Sequence, residues 1–383
     1  MSHLGTSRVF TQLFLLCILA TATAVRADEL FQYEAAEHEK GRLQYVDGLP
    51  VLELEGSPAE MGRQAAALTS DAAKQLISYP KKLATARAGG RGWARLEKTG
   101  RPLLANFPAH HKEELEAFAR QAGIDAGEMA AANVMVDVYR VFGCSSLLVE
   151  PHRSATGGML FGRNLDFYSL GIIHKYTVVT IYRPTGKHAF ASVGFPGLVG
   201  CLSGMNDAGL ALAVHEVFTT RDGSPMLDKR GTPYALCFRR ILEECTTIEE
   251  AEKLLKGMKR TTLLNLAICD RQHAGVLEIT PKNVVLRRSE DGICACTNHF
   301  RTDTLTSHIL QCRRYKTLRE MGGNDKLDVS FVAEKLHAVN QGQLTLQTMI
   351  FEPQSLKLHL AIGSRPASQA RLKEVDLSKL LGK

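Results

Sequence analysis

Residues 138–167 read VYRVFGCSSLLVEPHRSATGGMLFGRNLDF and place one thiol upstream of two charged side chains. Cys144 follows Gly143, and Arg163 and Asp166 stand about twenty residues later in GRNLDF. From Cys144 onward the sequence alternates as β-strands do and is interrupted by turn residues. We therefore predict that Cys144 begins one strand and that Arg163 and Asp166 lie on or at the edge of its neighbour.

The rest of the chain arranges helical and strand patterns in blocks. Helical spacing is predicted from Ser57, where Ser-Pro-Ala-Glu forms a capping signal, and over 109–122, 126–142, 233–257 and 304–338. Strand patterns occupy 144–217, 262–298, LQTMIFEP and KLHLAI. Such blocks differ from the strict alternation of a doubly wound sheet, and they favour antiparallel sheets covered by helices, an α+β layered fold.

Residues 81–102 form a basic segment with interrupting glycines, KKLATARAGGRGWARLEKTGRP. This composition is typical of a solvated loop or an irregular helix. The alternative is a site for an anionic group, such as the phosphates of an acyl thioester donor.

The first 27 residues have the pattern of a secretory signal peptide. Arg8 precedes the apolar run LFLLCILA, which is too short to span a bilayer, and small residues follow it. Cleavage after Ala24 or Ala27 fits, so we expect a secreted or periplasmic protein without an integral membrane segment. Because residues 1–27 contain two basic and no acidic residues, their loss lowers the formal charge from +7 to +5. That balance does not indicate a nucleic-acid partner.

Cys144 is the strongest candidate nucleophile among the eight cysteines outside the signal. A free cysteine is commonly just a small buried side chain. Here, however, Gly143 permits close approach to the preceding carbonyl, and Ser145 is small where a buried strand would supply bulk. A guanidinium such as that of Arg163 favours the reactive thiolate.

The thiol needs a proton acceptor, and the residues leave two possibilities. His215 or His299 could approach it in space. Alternatively, cleavage of the Gly143–Cys144 bond would free an α-amino group, whose pKa of about 7.7–8.0 suits a general base near neutrality. In that case Asp166 would orient the amine and Arg163 would steady the sulfur.

Six stretches of the mature chain together resemble one family. They are LELEGSPAEMGRQ, EELEAFARQAGID, FGCSS, GRNLDF, GFPGLVGCLSGMNDAGLAL and CTNHF. In order and spacing they resemble the acyl-coenzyme A:6-aminopenicillanate acyltransferase family, autoproteolytic N-terminal-nucleophile hydrolases related to the choloylglycine hydrolases. The resemblance implies a four-layer αββα sandwich. It also implies that Cys144 is the nucleophile, that Arg163 and Asp166 contact its sulfur and amine, and that Asn298 helps to bind the oxyanion.

The same resemblance implies a self-processed enzyme. Residues 28–143 would be released as a small fragment, and residues 144–383 would form the catalytic fragment of the same folded unit. The mature thiol would attack a linear, non-peptide C–N amide of a small molecule and pass the acyl group to water or an amine, without a cofactor. Phe142, Phe167 and Tyr168 are candidates for an acyl pocket, although core packing is the simpler role for each.

Four alternatives can be weighed against this interpretation. The choloylglycine relatives place a second polar oxyanion group after the NxxGL turn, where this chain offers His215 or Glu216, so bile-salt hydrolysis is not expected. Cys294, Cys296 and His299 resemble part of a zinc site, but no second ligand pair stands nearby in sequence, and we expect no metal. A histidine-assisted thiol hydrolase without self-cleavage and a non-catalytic exported binding protein are the competing functions.

Overall fold

The computed structural model describes residues 29–140, 143–306, 311–322 and 326–383. The predicted signal peptide, residues 1–27, therefore lies outside the described residues, as does Phe142.

Sixteen strands in the described residues form two sheets. In chain order they are β1 (Ala36–His38), β2 (Gly41–Val46), β3 (Leu49–Gly56), β4 (Ser145–Val149), β5 (Leu160–Asp166), β6 (Val178–Pro184), β7 (Phe190–Gly194), β8 (Ser203–Asn206), β9 (Ala211–Glu216), β10 (Leu264–Cys269), β11 (Ala274–Ile279), β12 (Val284–Arg288), β13 (Ile293–Cys296), β14 (Thr345–Glu352), β15 (Lys357–Ala361) and β16 (Lys373–Asp376). The ten-stranded sheet has the order β1-β2-β3-β6-β7-β8-β9-β10-β11-β12. The six-stranded sheet has the order β13-β4-β5-β14-β15-β16. Neighbouring strands are antiparallel except for the parallel pair β3 and β6.

The α-helices of the described residues are α1 (Pro58–Leu76), α2 (Ser78–Ala88), α3 (Gly92–Leu104), α4 (Ala109–Ala122), α5 (Ala126–Val138), α6 (Tyr234–Glu244), α7 (Ile248–Lys256), α8 (Arg313–Arg319), α9 (Val329–Ala338) and α10 (Leu377–Leu380). The predicted start of α1 is confirmed, because Ser57 and Glu60 form a reciprocal capping box.

The strands bury side chains on both faces, which produces four layers. Leu148 of β4 packs between the two sheets with residues of β3, β6 and β9, whereas the adjacent Leu147 packs against α8 and α9. On the other side, α1, α6 and α7 cover the ten-stranded sheet, and α4 and α5 pack outside α1. The order of layers is helix, sheet, sheet, helix, which confirms the predicted α+β fold and its αββα layering.

Several element boundaries differ from the prediction. The basic segment 81–102 is helical in two pieces, α2 and α3, that are broken around Gly89; this agrees with an irregular helix rather than a loop. The predicted 126–142 helix ends at Val138, and the hairpin of β1 and β2 was not predicted. Within the described residues, no helix combines the length and the apolar character needed to cross a membrane.

Candidate active site

The candidate residues lie where four neighbouring strands of the six-stranded sheet, β13, β4, β5 and β14, begin or end on the same side of the sheet. Antiparallel pairing sets Ser145 opposite Asn164 and Ser146 opposite Arg163, so Cys144, which directly precedes β4, lies beside the end of β5. Cys296 pairs with Ser146, and continuing that register places Asn298 opposite Cys144. Sequence analysis had predicted the adjacency of the Cys144 and Arg163 strands, and the pairing confirms it.

The Cys144 thiol is completely buried and contacts the guanidinium of Arg163. Nη2 of Arg163 lies 3.5 Å from Sγ of Cys144, while Nη1 donates to the carbonyl oxygen of Val214 on β9 at 2.6 Å. Burial raises the pKa of the thiol to about 11, and Arg163 opposes that rise. The thiol is therefore protonated near neutral pH and lies beside a cation that stabilises its ionised form.

The carboxyl group of Asp166 is also fully buried, but it contacts residues other than Cys144. Oγ1 of Thr345 donates to its Oδ1 at 2.6 Å, and Nε2 of Gln341 donates to its Oδ2 at 2.7 Å. Burial raises the pKa of Asp166 to about 6, against the lowering effect of these two hydrogen bonds. The carboxyl group thus changes charge in a mildly acidic range.

The peptide group between Gly143 and Cys144 is held at both polar atoms. The Cys144 N–H donates to Oδ1 of Asn298 at 2.9 Å, and the Gly143 carbonyl accepts from Nε2 of Gln341 at 2.6 Å. Arg314 donates to Oδ1 of Asn298 at 3.0 Å and to the Cys144 carbonyl at 2.7 Å. The amide Nδ2 of Asn298 donates to the Glu216 carbonyl at 2.9 Å.

The two histidines considered as bases have other partners. Nε2 of His215 lies 3.0 Å from Oγ of Ser146, and Nδ1 of His299 lies 3.0 Å from Oγ1 of Thr297. Burial lowers the pKa of His215 well below its usual value and that of His299 to about 4. Both rings are therefore neutral near neutral pH, and each is paired with a hydroxyl group.

The eight cysteines in the described residues are free thiols. Cys294 and Cys296 lie in the core between the sheets. His110, His111 and Glu243 are grouped closely enough to hold a metal ion. The ammonium of Lys187, however, lies 3.0 Å from Nε2 of His110 and 2.7 Å from a carboxylate oxygen of Glu243, so a cation already bonds these ligand atoms.

Sequence reasoning missed three residues of this site: Arg314, Gln341 and Thr345. They follow Cys144 by 170 residues or more in sequence, and each is brought to the site by the register of the six-stranded sheet or by the segments beside it. CRRY and NQGQLT, the stretches that contain them, have no pattern that distinguishes them from surface helix and turn.

An apolar cavity lies next to the candidate site, between α1, α2, α5 and the loop 195–198. It has a volume of about 690 Å³, counting the space at its mouth, and Phe167, which directly follows Asp166, forms part of its wall. Tyr79, Met135 and Phe167 of this wall share one apolar cluster with Cys144.

Comparison with curated proteins finds relatives that each match part of the chain. Human acid ceramidase (Homo sapiens) is 28% identical over 176 residues, which are 41% of this chain and 43% of that protein. The N-acylethanolamine-hydrolyzing acid amidase of Caenorhabditis elegans is 23% identical over 156 residues, 38% of this chain and 43% of that protein. The chain spans about half the length, or less, of the curated relatives that it matches.

Two solved structures of low sequence identity are similar to part of this chain. The Caenorhabditis elegans orthologue of N-acylethanolamine-hydrolyzing acid amidase has a TM-score of 0.44 and 17% identity, covering 55% of this chain and 93% of that one. A single-residue variant of conjugated bile acid hydrolase from Clostridium perfringens has a TM-score of 0.45 and 16% identity, covering 62% of this chain and 93% of that one.

The comparison with protein families matches one model to this chain. It is described as acyl-coenzyme A:6-aminopenicillanic acid acyl-transferase and matches residues 153–366. The matched range contains Arg163, Asp166 and Asn298 and begins after Cys144. Because the match spans more than half of the 383 residues, the chain belongs to the acyl-coenzyme A:6-aminopenicillanic acid acyl-transferase family.

Proposed function

We propose that this chain is an exported enzyme that cuts its own Gly143–Cys144 bond and then uses the Cys144 thiol on linear C–N amides of small molecules. The observation that carries the proposal is the contact of 3.5 Å between Arg163 and the Cys144 sulfur, beside a peptide group bonded at both its polar atoms. A guanidinium stabilises the thiolate that attacks. Once the bond is cut, the freed amine takes up the thiol proton and replaces a histidine as base.

In this scheme residues 28–143 and 144–383 remain one folded unit after cleavage. The parallel pairing of β3 with β6 and the buried contact of Arg239 with Glu114 both join the two parts. Acyl transfer proceeds through a thioester on Cys144. Water as the acceptor gives hydrolysis, and an amine gives acyl transfer.

The apolar cavity favours a substrate whose acyl group is apolar. Its wall is apolar, and the side-chain amide of Asn133 within it is already bonded to backbone groups of Gly197 and Val199. The names of the curated relatives point to ceramide and N-acylethanolamines, and amides of this kind are the first substrates to test.

Denaturing electrophoresis with mass analysis of the purified, active protein tests the self-cleavage. We expect two polypeptides, the larger beginning at Cys144, and hydrolysis of N-acylethanolamines. Cys144→Ala should remain uncut and inactive, whereas Cys201→Ala, which removes an equally buried thiol, should be cut normally. An active wild-type protein with the Gly143–Cys144 bond intact would instead favour a histidine-assisted thiol hydrolase, and an intact protein without amidase activity would favour a binding protein.

A further inference from the structure

The hydrogen bonds of the Gly143–Cys144 peptide group distinguish its two ends. Its nitrogen donates to Asn298, and its carbonyl oxygen accepts from Nε2 of Gln341 at 2.6 Å. In an attack on the Gly143 carbonyl carbon, negative charge develops on that oxygen. A donor already placed there stabilises the charge without reorganisation.

We propose that the side-chain amide of Gln341 is the oxyanion donor of self-cleavage, an inference that rests on the proposed self-processing. The Cys144 sulfur forms a bond to the Gly143 carbonyl carbon, and the carbonyl π electrons move onto the oxygen that Gln341 holds. Collapse of this intermediate re-forms the carbonyl and breaks the bond to the Cys144 nitrogen, which takes up the proton that the thiol has lost. Water then hydrolyses the thioester, which leaves a carboxylate on Gly143 and the thiol on Cys144.

The orientation of the Gln341 amide follows from its partners. Its two N–H groups donate to the Gly143 carbonyl and to Oδ2 of Asp166, so an amide turned the other way would set an oxygen against two acceptors. The backbone of Gln341 is fixed as well, since its N–H donates to Oγ1 of Thr345 at 2.8 Å, and Thr345 bonds the other oxygen of Asp166. The donor is thus held in place from both sides before the reaction begins.

The glycine at position 143 leaves room for this donor. A Cβ atom at that position would lie 2.5 Å from Nε2 of Gln341, so any larger residue would force the amide away from its position. The contact with Gln341 therefore explains on steric grounds why a glycine precedes Cys144.

Time-resolved denaturing electrophoresis after cell-free synthesis of the full chain tests the role of Gln341. Gln341→Ala and the equally sized Gln341→Glu should both be cut about 10²–10³-fold more slowly than the wild type, the usual loss for one oxyanion donor. The matched control is Gln343→Ala, two residues away, where an exposed glutamine bonds the Arg365 carbonyl at 3.4 Å; it should be cut at the wild-type rate.

Melting temperatures separate this role from a structural one. Gln341→Ala and Gln341→Glu are compared in the Cys144→Ala chain, which cannot cut itself, and neither should lower its melting temperature enough to unfold it at the assay temperature. Slow cutting by these folded variants supports the proposal. Cutting at the wild-type rate by either variant overturns the role of Gln341 but leaves self-cleavage standing, whereas a wild type that is active and uncut overturns both.

Discussion

The Cys144 N–H donates a hydrogen bond of 2.9 Å to Oδ1 of Asn298, which lies 154 residues later in the sequence. Arg314 donates to the same oxygen, and the Asn298 amide nitrogen donates to the Glu216 carbonyl. In this structure Asn298 therefore accepts a hydrogen bond from the backbone nitrogen of Cys144. The oxyanion role that the family resemblance implies would belong to the two N–H groups of the same side-chain amide, one of which donates to the Glu216 carbonyl in this structure.

Replacing Asn298 should affect turnover of substrate. We expect Asn298→Ala to lower kcat of the cut enzyme by about 10²–10³-fold, because one donor to the oxyanion is lost. Single-turnover kinetics on a short N-acyl amide measures this directly. Asn283→Ala removes an exposed turn asparagine and serves as the control; equal rates for the two variants would exclude Asn298 from the reaction.

Asp166 should make the stability of the uncut protein depend on pH. Its pKa is about 6 in the folded chain against 3.8 for an exposed aspartate, so the folded state binds the proton more tightly. Protonation of Asp166 therefore stabilises the folded state fully below about pH 4, and this stabilisation is lost as the pH rises through 6. The difference between the two pKa values corresponds to at most about 3 kcal/mol of unfolding free energy.

Denaturant unfolding between pH 4 and 7 measures that dependence. The comparison is between Cys144→Ala and the same chain with Asp166→Asn, so that both proteins remain uncut. The unfolding free energy of Cys144→Ala should fall more steeply with increasing pH than that of the double variant. Parallel curves would mean that Asp166 titrates as it does in the unfolded chain.

Part of this site follows from local sequence, and part depends on tertiary structure. Alternation in GRNLDF and the turn before it were enough to place Arg163 beside Cys144, because neighbouring strands of a hairpin pair directly. Gln341 and Arg314 reach the site through segments that follow distant strands and helices, and no local pattern encodes that register.

The dependence on tertiary structure also explains why the sequence of residues 81–102 was compatible with both a loop and an irregular helix. Interrupting glycines weaken helix propensity, yet burial of Leu83, Ala84, Leu96 and Leu103 stabilises α2 and α3. Tertiary packing therefore decided between a loop and an irregular helix where local sequence could not.

Arg239 should hold the two proposed fragments together. It is buried on α6 and donates two hydrogen bonds, at 2.8 and 2.5 Å, to the carboxylate of Glu114 on α4, and a third to Glu243. Since α4 precedes the proposed cut and α6 follows it, this ion pair crosses between the fragments. Removal of the arginine leaves the buried carboxylate of Glu114 without its cation, while Glu243 keeps its contact with Lys187. Breaking a buried pair in this way costs about 3–5 kcal/mol.

Thermal unfolding and gel filtration of the cut protein test this role. Arg239→Ala should melt at a clearly lower temperature, and its fragments should separate more readily on gel filtration than those of the wild type. The neighbouring Arg240 forms a partly exposed i,i+4 pair with Glu244, so Arg240→Ala should cost only about 0.3–0.5 kcal/mol. A similar melting temperature for both variants would show that the buried pair does not stabilise the assembly.

Acyl-chain length should control activity through the apolar cavity. Burial of one methylene contributes about 0.8 kcal/mol, so each added carbon should raise kcat/KM by roughly fourfold until the cavity is filled. Ala132 lines the cavity from α5, and Ala132→Phe should abolish this gain for long chains while leaving acetyl amides unaffected. Ala126→Phe adds the same ring to the exposed first turn of α5 and should retain the wild-type dependence. Equal chain-length profiles for Ala132→Phe and the wild type would place the acyl group elsewhere, because a ring at that position must compete with any chain bound in the cavity.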